Sequence, residues 1–399
     1  MARQSAFRLS VLVLVSLCLA GAPAWSRERT DAIQAYTEIP EEALLDVGIE
    51  LFDPGLPEDD EHAKEEDGIY PELRKSEARY IPFHLKNTLE ATGHWGAVRV
   101  VPRGTEGIDL TISGEILKST GHKLSVRVRM TDARGKVWRE DRYTEEAEPS
   151  AYGEDSIEVR DPYQSLYNRI ANDMLESREK LDEEDLRTLR EISRLRFAAD
   201  LAPTAFTDYL NVRKNGRYSL NRLPSGDDPM LDRIARVRQR DEMFVDTLNE
   251  YYAEFYARMG APYDNWREFS FEEQMALREI RRQARKRMIL AGLLILGGAA
   301  TSSSTTLGDA VGDAAVIGGA LAMQSGIEKQ KEARIHKEAL KELAASFDAE
   351  IEPLLVEVDG QTLRLEGSAE AQFAEWRRLL AEMFATQTGL PAETPADEE

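Results

Sequence analysis

Apolar and polar residues alternate along several stretches in the first third of the chain. Residues 44–52 read as a strand stopped by the turn Asp53-Pro54-Gly55. Further on, residues 98–101, 108–117, 123–130 and 137–143 read as strands, and the middle two carry the tight two-residue period of a half-buried strand. Leu110, Ile112 and Ile116 share one face, as do Leu124, Val126, Val128 and Met130, and Asp132-Ala133-Arg134-Gly135 supplies a hairpin turn. Between the first strand and the rest, residues 72–92 have helical spacing at Leu73, Tyr80, Phe83, Leu85 and Leu89, with Pro82 predicting a kink or a late start. The economical architecture for residues 39–143 is a helix on a small, mostly antiparallel sheet.

From Asp161-Pro162 onward the period becomes helical. Residues 161–265 are predicted as a helical region, with helices over 163–175 and 183–201, and a long one from Asp228-Pro229 to about 259. Ser270-Phe271-Glu272-Glu273 matches a capping box and predicts a fresh helix start, so residues 270–350 are expected to hold further long helices. Residues 351–389 read as a β-hairpin turning at Asp359-Gly360-Gln361 and a closing helix stopped by Gly389, and residues 390–399 as a disordered tail. The fold class is therefore α+β: the N-terminal module, a mainly helical region and a short C-terminal β-hairpin plus helix.

The most informative stretch lies at residues 278–326. Arg278, Arg281, Arg282, Arg285, Lys286 and Arg287 form a basic flank that passes directly into an apolar, glycine-bearing arm with Leu290, Gly292, Leu294, Gly297 and Gly298. After a Thr/Ser link, a second arm spaces Gly308 from Gly312 and Ala315 from Gly319 by four residues, which puts each small pair on one helix face and lets another backbone approach. Residues 288–326 thus resemble the glycine-zipper hairpins of bacterial envelope proteins. Three readings stay open: a buried core hairpin, a membrane-inserted or membrane-lying hairpin, and a self-association element. The first arm is short for a span of roughly 20 residues, and Asp309 and Asp313 burden the second. The basic flank suits anionic headgroups, and pairing with Glu272, Glu273 and Glu279 on the same helix explains it equally well.

The strand ending in Leu51-Phe52, the helix before Trp95 and the run Asp109-Leu110-Thr111-Ile112-Ser113-Gly114-Glu115-Ile116 resemble the small αβ domain of TolB-like and curli-secretion-type envelope proteins. The resemblance covers about a quarter of the chain and implies envelope assembly.

The first 26 residues fit that setting as a secretory signal peptide: Arg3 and Arg8, an apolar run over 9–19, and a small-residue end at Ala22-Pro23-Ala24-Trp25-Ser26. Cys18 is the one cysteine, and Leu17 before it departs from a lipobox; cleavage after Ala24 or Ser26 leaves a mature chain without thiols, so packing has to supply stability. A net charge of -22, from 73 acidic against 51 basic residues, opposes nucleic acid as a partner.

Catalytic signals are weak. The five histidines are scattered without metal-ligand spacing, and there is no nucleophile elbow, phosphate loop or dinucleotide fingerprint. No metal and no cofactor is expected. The aromatic run Tyr251, Tyr252, Phe255, Tyr256, Tyr263 and Trp266 is read as core of the long helix. The expectation is a non-catalytic, periplasmic, membrane-associated envelope protein with a structural or assembly role. Its expected partners are membrane lipid or further copies of itself, with another envelope protein as a further candidate. The alternative is a soluble periplasmic binding or adaptor protein whose hairpin is buried core and whose sheet edge recognises a partner.

Overall fold

The computed structural model describes residues 29–56, 71–152, 161–225, 228–297, 354–358 and 361–389. Its N-terminal module carries β1 (Val47–Glu50), α1 (Pro71–Thr92), β2 (Val98–Val101), β3 (Leu110–Ser119), β4 (Lys123–Asp132) and β5 (Val137–Glu146). These strands form one five-stranded sheet in the order β2-β1-β3-β4-β5. β1 runs parallel to both β2 and β3, and only the β3-β4 and β4-β5 pairs are antiparallel. The sheet is mixed, where a mostly antiparallel one was expected. The cause is the connection between β1 and β2, which is a crossover through α1 and returns the chain in the same direction.

Two carboxylates fix where the three parallel strands begin. Asp46 accepts the Ala97 N–H at 2.9 Å and donates its own N–H to Asp109 at 3.0 Å, so the starts of β1, β2 and β3 are tied together. Burial raises the Asp109 carboxyl above its ordinary range.

α1 runs straight through Pro82, without the late start its sequence suggested. A proline at this position leaves the carbonyl one turn earlier without its helical donor. Here that carbonyl, on Ala78, accepts the N–H of Phe52 at 3.0 Å, so the strand end satisfies what the helix cannot. The inner face of the sheet, with Ile49, Val100, Leu110, Ile112, Val126 and Val128, is buried, and the other face carries the exposed pairs Arg127–Glu115 between β4 and β3 and Arg129–Glu140 between β4 and β5.

The helical part follows with α2 (Gln164–Arg178), α3 (Glu183–Leu201), the short α4 (Pro203–Phe206) and a small hairpin of β6 (Leu210–Val212) and β7 (Tyr218–Leu220). α3 has the bounds its pattern predicts, and its cap Asp182 accepts the Asp185 N–H at 2.8 Å. The small hairpin was not foreseen, because three-residue strands are too short to show alternation.

α5 (Pro229–Gly297) spans 69 residues in one helix. The predicted end at about residue 259 and the restart at Ser270 do not occur. The apolar stripe Leu248, Tyr252, Phe255, Met259, Tyr263 and Trp266 stays buried through the region, so tertiary packing overrides the Gly260, Pro262 and capping-box signals. The chain ends, among the described residues, with the antiparallel hairpin β8 (Leu354–Val358) and β9 (Gln361–Leu365) and with α6 (Ala369–Thr388), which Gly389 terminates in the left-handed conformation at φ +71°. α6 packs on α5, stacking Trp376 on Phe244 with ring centroids 5.1 Å apart. Arg377 of α6 bonds Asp241 of α5 at 2.9 Å.

Candidate functional site at the root of the long helix

α5 carries the basic flank and the first apolar arm, so its attachment to the body determines how those residues are presented. Three sets of polar contacts interrupt its apolar stripe, the first to β2 and the next two to α1. At the first, Asn249 accepts the Val100 N–H and donates to the Val100 carbonyl, both at 2.9 Å, and Asp246 accepts from Arg99 at 2.6 Å. Asn249 thereby occupies the outer edge of β2 as a neighbouring strand would.

One to two turns later, Tyr256 meets His84 Nδ1 at 2.7 Å, and His84 Nε2 meets Gln164 at 2.9 Å, linking α5, α1 and α2. The third contact is the most buried. The Tyr263 hydroxyl donates to Glu77 at 2.8 Å, Ser119 donates to the same carboxylate oxygen, and Glu77 is fully buried. Burial raises the Glu77 carboxyl above its usual range, against the opposing pull of Arg74. Beside it Arg267 bonds Asp161 at 2.7 Å and pairs with Asp264, with its guanidinium 4.4 Å from the Tyr263 ring centroid. Side-chain exposure is 2% for Arg267 and 4% for Asp161. Burial, the largest influence, pushes the Asp161 carboxyl up, but Arg267, His84 and the Tyr163 N–H together outweigh it and hold the group below its ordinary range. Burial likewise opposes the charge on Arg267, and Asp161, Tyr263, Tyr80 and Asp264 together reverse that effect and raise it.

Asp161 was expected as the cap of α2. The helix instead begins at Gln164, and the Asp161 carboxylate accepts the Tyr163 N–H at 2.8 Å while it faces Arg267. The β3-β4 turn completes the root. Gly121 donates its N–H to the Ser270 hydroxyl at 3.2 Å, and a Cβ at Gly121 would lie 1.8 Å from the Arg267 carbonyl oxygen. Only a residue without a side chain permits this approach. His122 follows, with its ring against Phe271 and 3.9 Å from Glu146, and neither ring nitrogen has a hydrogen-bond partner among the described residues. Burial lowers its pKa, and Arg278 lowers it further.

Beyond Phe271 the described side chains of α5 are exposed or half-buried. Arg278 and Arg282 are exposed, and Arg282 pairs with Glu279 at 2.8 Å, as expected for a cation with acidic neighbours on its own helix. Arg281, Arg285, Lys286, Arg287, Leu290, Gly292, Leu294 and Gly297 continue the same helical backbone. Gly298, Gly308, Gly312, Ala315 and Gly319 lie outside the described residues. Helix geometry therefore joins the basic flank to the first apolar arm without a break; what becomes of the second arm is not described.

Among the described residues no helix is long and apolar enough to cross a membrane, and no group of three or more metal-ligating side chains converges. Glu77, Ser119, Gly121 and Arg267 were not singled out in the sequence. The available signal was Arg267 itself, a charge set beside Tyr263 and Trp266 on the apolar stripe of α5. No family model, curated protein or solved structure matches the chain.

Proposed function

We propose that this is an exported, non-catalytic cell-envelope protein with a structural or assembly role, which associates with membrane lipid or with copies of itself through the glycine-rich segment 288–326. The observation that supports this reading is the continuity of α5. One helix is held by a buried ion pair at its root and runs on through the basic flank into the apolar arm. From Phe271 to Gly297 it extends about 39 Å at 1.5 Å per residue. A cationic stretch next to an apolar arm gains roughly 1 kcal/mol per charge at an anionic headgroup surface. The first arm alone is too short to span a bilayer, so the segment lies in the interface, pairs with the second arm or packs against another copy. In the adaptor alternative a sheet edge receives the partner, and the β2 edge is already taken by Asn249.

Alkaline carbonate extraction of envelopes carrying the C-terminally tagged protein tests the reading, with tag size reporting signal removal and cross-linking reporting copy number. The expected result is a processed protein retained in the pellet or cross-linked as an oligomer. Deleting residues 290–319 should then release a folded, soluble monomer. A processed full-length protein that is soluble and monomeric, or a deletion that unfolds the body, would overturn it.

A further inference from the structure

A cleft of ≈ 740 Å³ lies between α3 and α5, and a smaller cavity of ≈ 40 Å³ adjoins it against β1 and β2. Asp46, Arg238 and Glu242 line both, so the outer cleft leads to the inner cavity. The inner wall is largely apolar, with Val47, Ala97, Phe197 and Val245. At about 10–15 Å³ for each water-sized atom, the cavity holds roughly three heavy atoms of a chain.

The charged groups around it leave an excess of carboxylate. Arg99 is taken by Asp246 at 2.6 Å, Arg238 by Glu242 at 2.9 Å, and Arg196 by Glu106 at 2.7 Å. Arg377 is one guanidinium shared by two carboxylates, Asp241 at 2.9 Å and Asp200. Asp241 lines the inner cavity at 4% exposure. Its Oδ2 accepts from Arg377, and its Oδ1 has no hydrogen-bond partner among the described residues. A buried carboxylate oxygen in that state needs a donor. Asp46, where the two spaces meet, accepts the Ala97 N–H at 2.9 Å and has no ion pair among the described residues. Farther out, Arg187, Arg190 and Arg194 share the lining with Glu42, Glu184 and Glu191, so the mouth is balanced in sign. Gly226 and Asp227, which follow Leu223 of the lining in sequence and lie outside the described residues, carry no positive charge.

We propose that the cleft binds a linear aliphatic diamine. One ammonium donates to Asp241 Oδ1, the methylenes lie along Phe197 and Val245, and the second ammonium reaches Asp46. Among the described residues no three carboxylate or histidine groups converge as metal ligands, so an extended cation suits the cleft better than a single ion. An uncharged chain would bring nothing to either carboxylate. The site uses none of residues 288–326, so the proposal stands apart from the reading above.

Calorimetric titration of the full chain with three probes tests it: 1,4-diaminobutane, butylamine as the same chain with one ammonium, and magnesium ion as the same charge without methylenes. The diamine should saturate one site at least about tenfold more tightly than either partial probe, as expected when a charge-assisted bond or an apolar contact is lost. Asp241→Asn removes the inner charge at constant size, and Ala97→Leu fills the inner cavity. Each should weaken 1,4-diaminobutane by about tenfold or more with the unliganded circular dichroism unchanged. If Asp241→Asn does not fold, Ala97→Leu alone decides. Equal binding of butylamine or magnesium, wild-type affinity in a folded variant, or no saturable diamine site would each overturn the proposal.

Discussion

Replacing Arg267 by methionine should loosen α5 from the rest of the fold. The substitution keeps much of the aliphatic volume but leaves Asp161 as a buried carboxylate with 4% side-chain exposure and without its guanidinium partner. Breaking a buried pair in this way costs about 3–5 kcal/mol, most of it from the stranded charge. The second ion pair, to Asp264, adds little, since Asp264 is 61% exposed. Urea unfolding followed by far-ultraviolet circular dichroism measures the loss. Asp161→Asn alone should cost less, because Arg267 keeps Asp264, and the double variant should recover about 2–3 kcal/mol relative to the sum of the single changes. The acid dependence has a fixed sign. Asp161 has a depressed pKa in the folded protein, so its contribution is complete above the unfolded carboxylate value and is lost as pH falls through the folded one. A cost below about 1 kcal/mol for Arg267→Met, or costs that simply add, would refute the view that this pair locks the helix to the module.

Three further changes bear on the same root. Gly121→Ala places a methyl 1.8 Å from the Arg267 carbonyl oxygen and 2.6 Å from the Phe271 nitrogen, and should destabilise by about 2 kcal/mol or more in the same melt. His122 titrates among Lys118, Lys123, Glu146 and Arg278 with its folded pKa held below the ordinary value of 6.5, so the unfolded chain takes up the proton first. Stability should fall as pH drops from about 6.5 towards the folded pKa, and His122→Phe should remove that slope from the urea midpoint; an unchanged slope would contradict the assignment. Asn249→Leu leaves the Val100 N–H and carbonyl without their partner, for about 1–3 kcal/mol, and should speed hydrogen exchange at the Val100 amide.

Much of the fold was legible because its period is strong. The alternation at Leu110, Ile112 and Ile116 and at Leu124 to Met130 located β3 and β4, and the helical period over 183–201 matched the bounds of α3. Strand direction was less legible from the pattern, since parallel and antiparallel partners bury the same alternate residues; only the helical crossover between β1 and β2 carried that information. α5 was cut too short because the Ser270 box is a local start signal, whereas the Met259–Tyr263–Trp266 packing that overrides it depends on distant segments. The root cluster was hidden for the same reason: Arg267 and Asp161 are 106 residues apart, and Tyr263 and Glu77 are 186 apart. The basic flank was visible and does lie on the helix, while the second arm of the hairpin falls outside the described residues.

The amide of Asn249 also limits how this molecule can be joined to others. An uncovered outer strand is a template onto which a foreign strand can accrete, the route to domain swapping and fibrous growth. Here the β2 margin is sealed by a side chain, and near the β5 margin Arg169 of α2 donates to the Thr144 carbonyl at 2.7 Å. A sheet finished in this way resists lengthening by recruitment of neighbours. At high concentration the module can then sit beside many copies of itself without merging with them through these two margins.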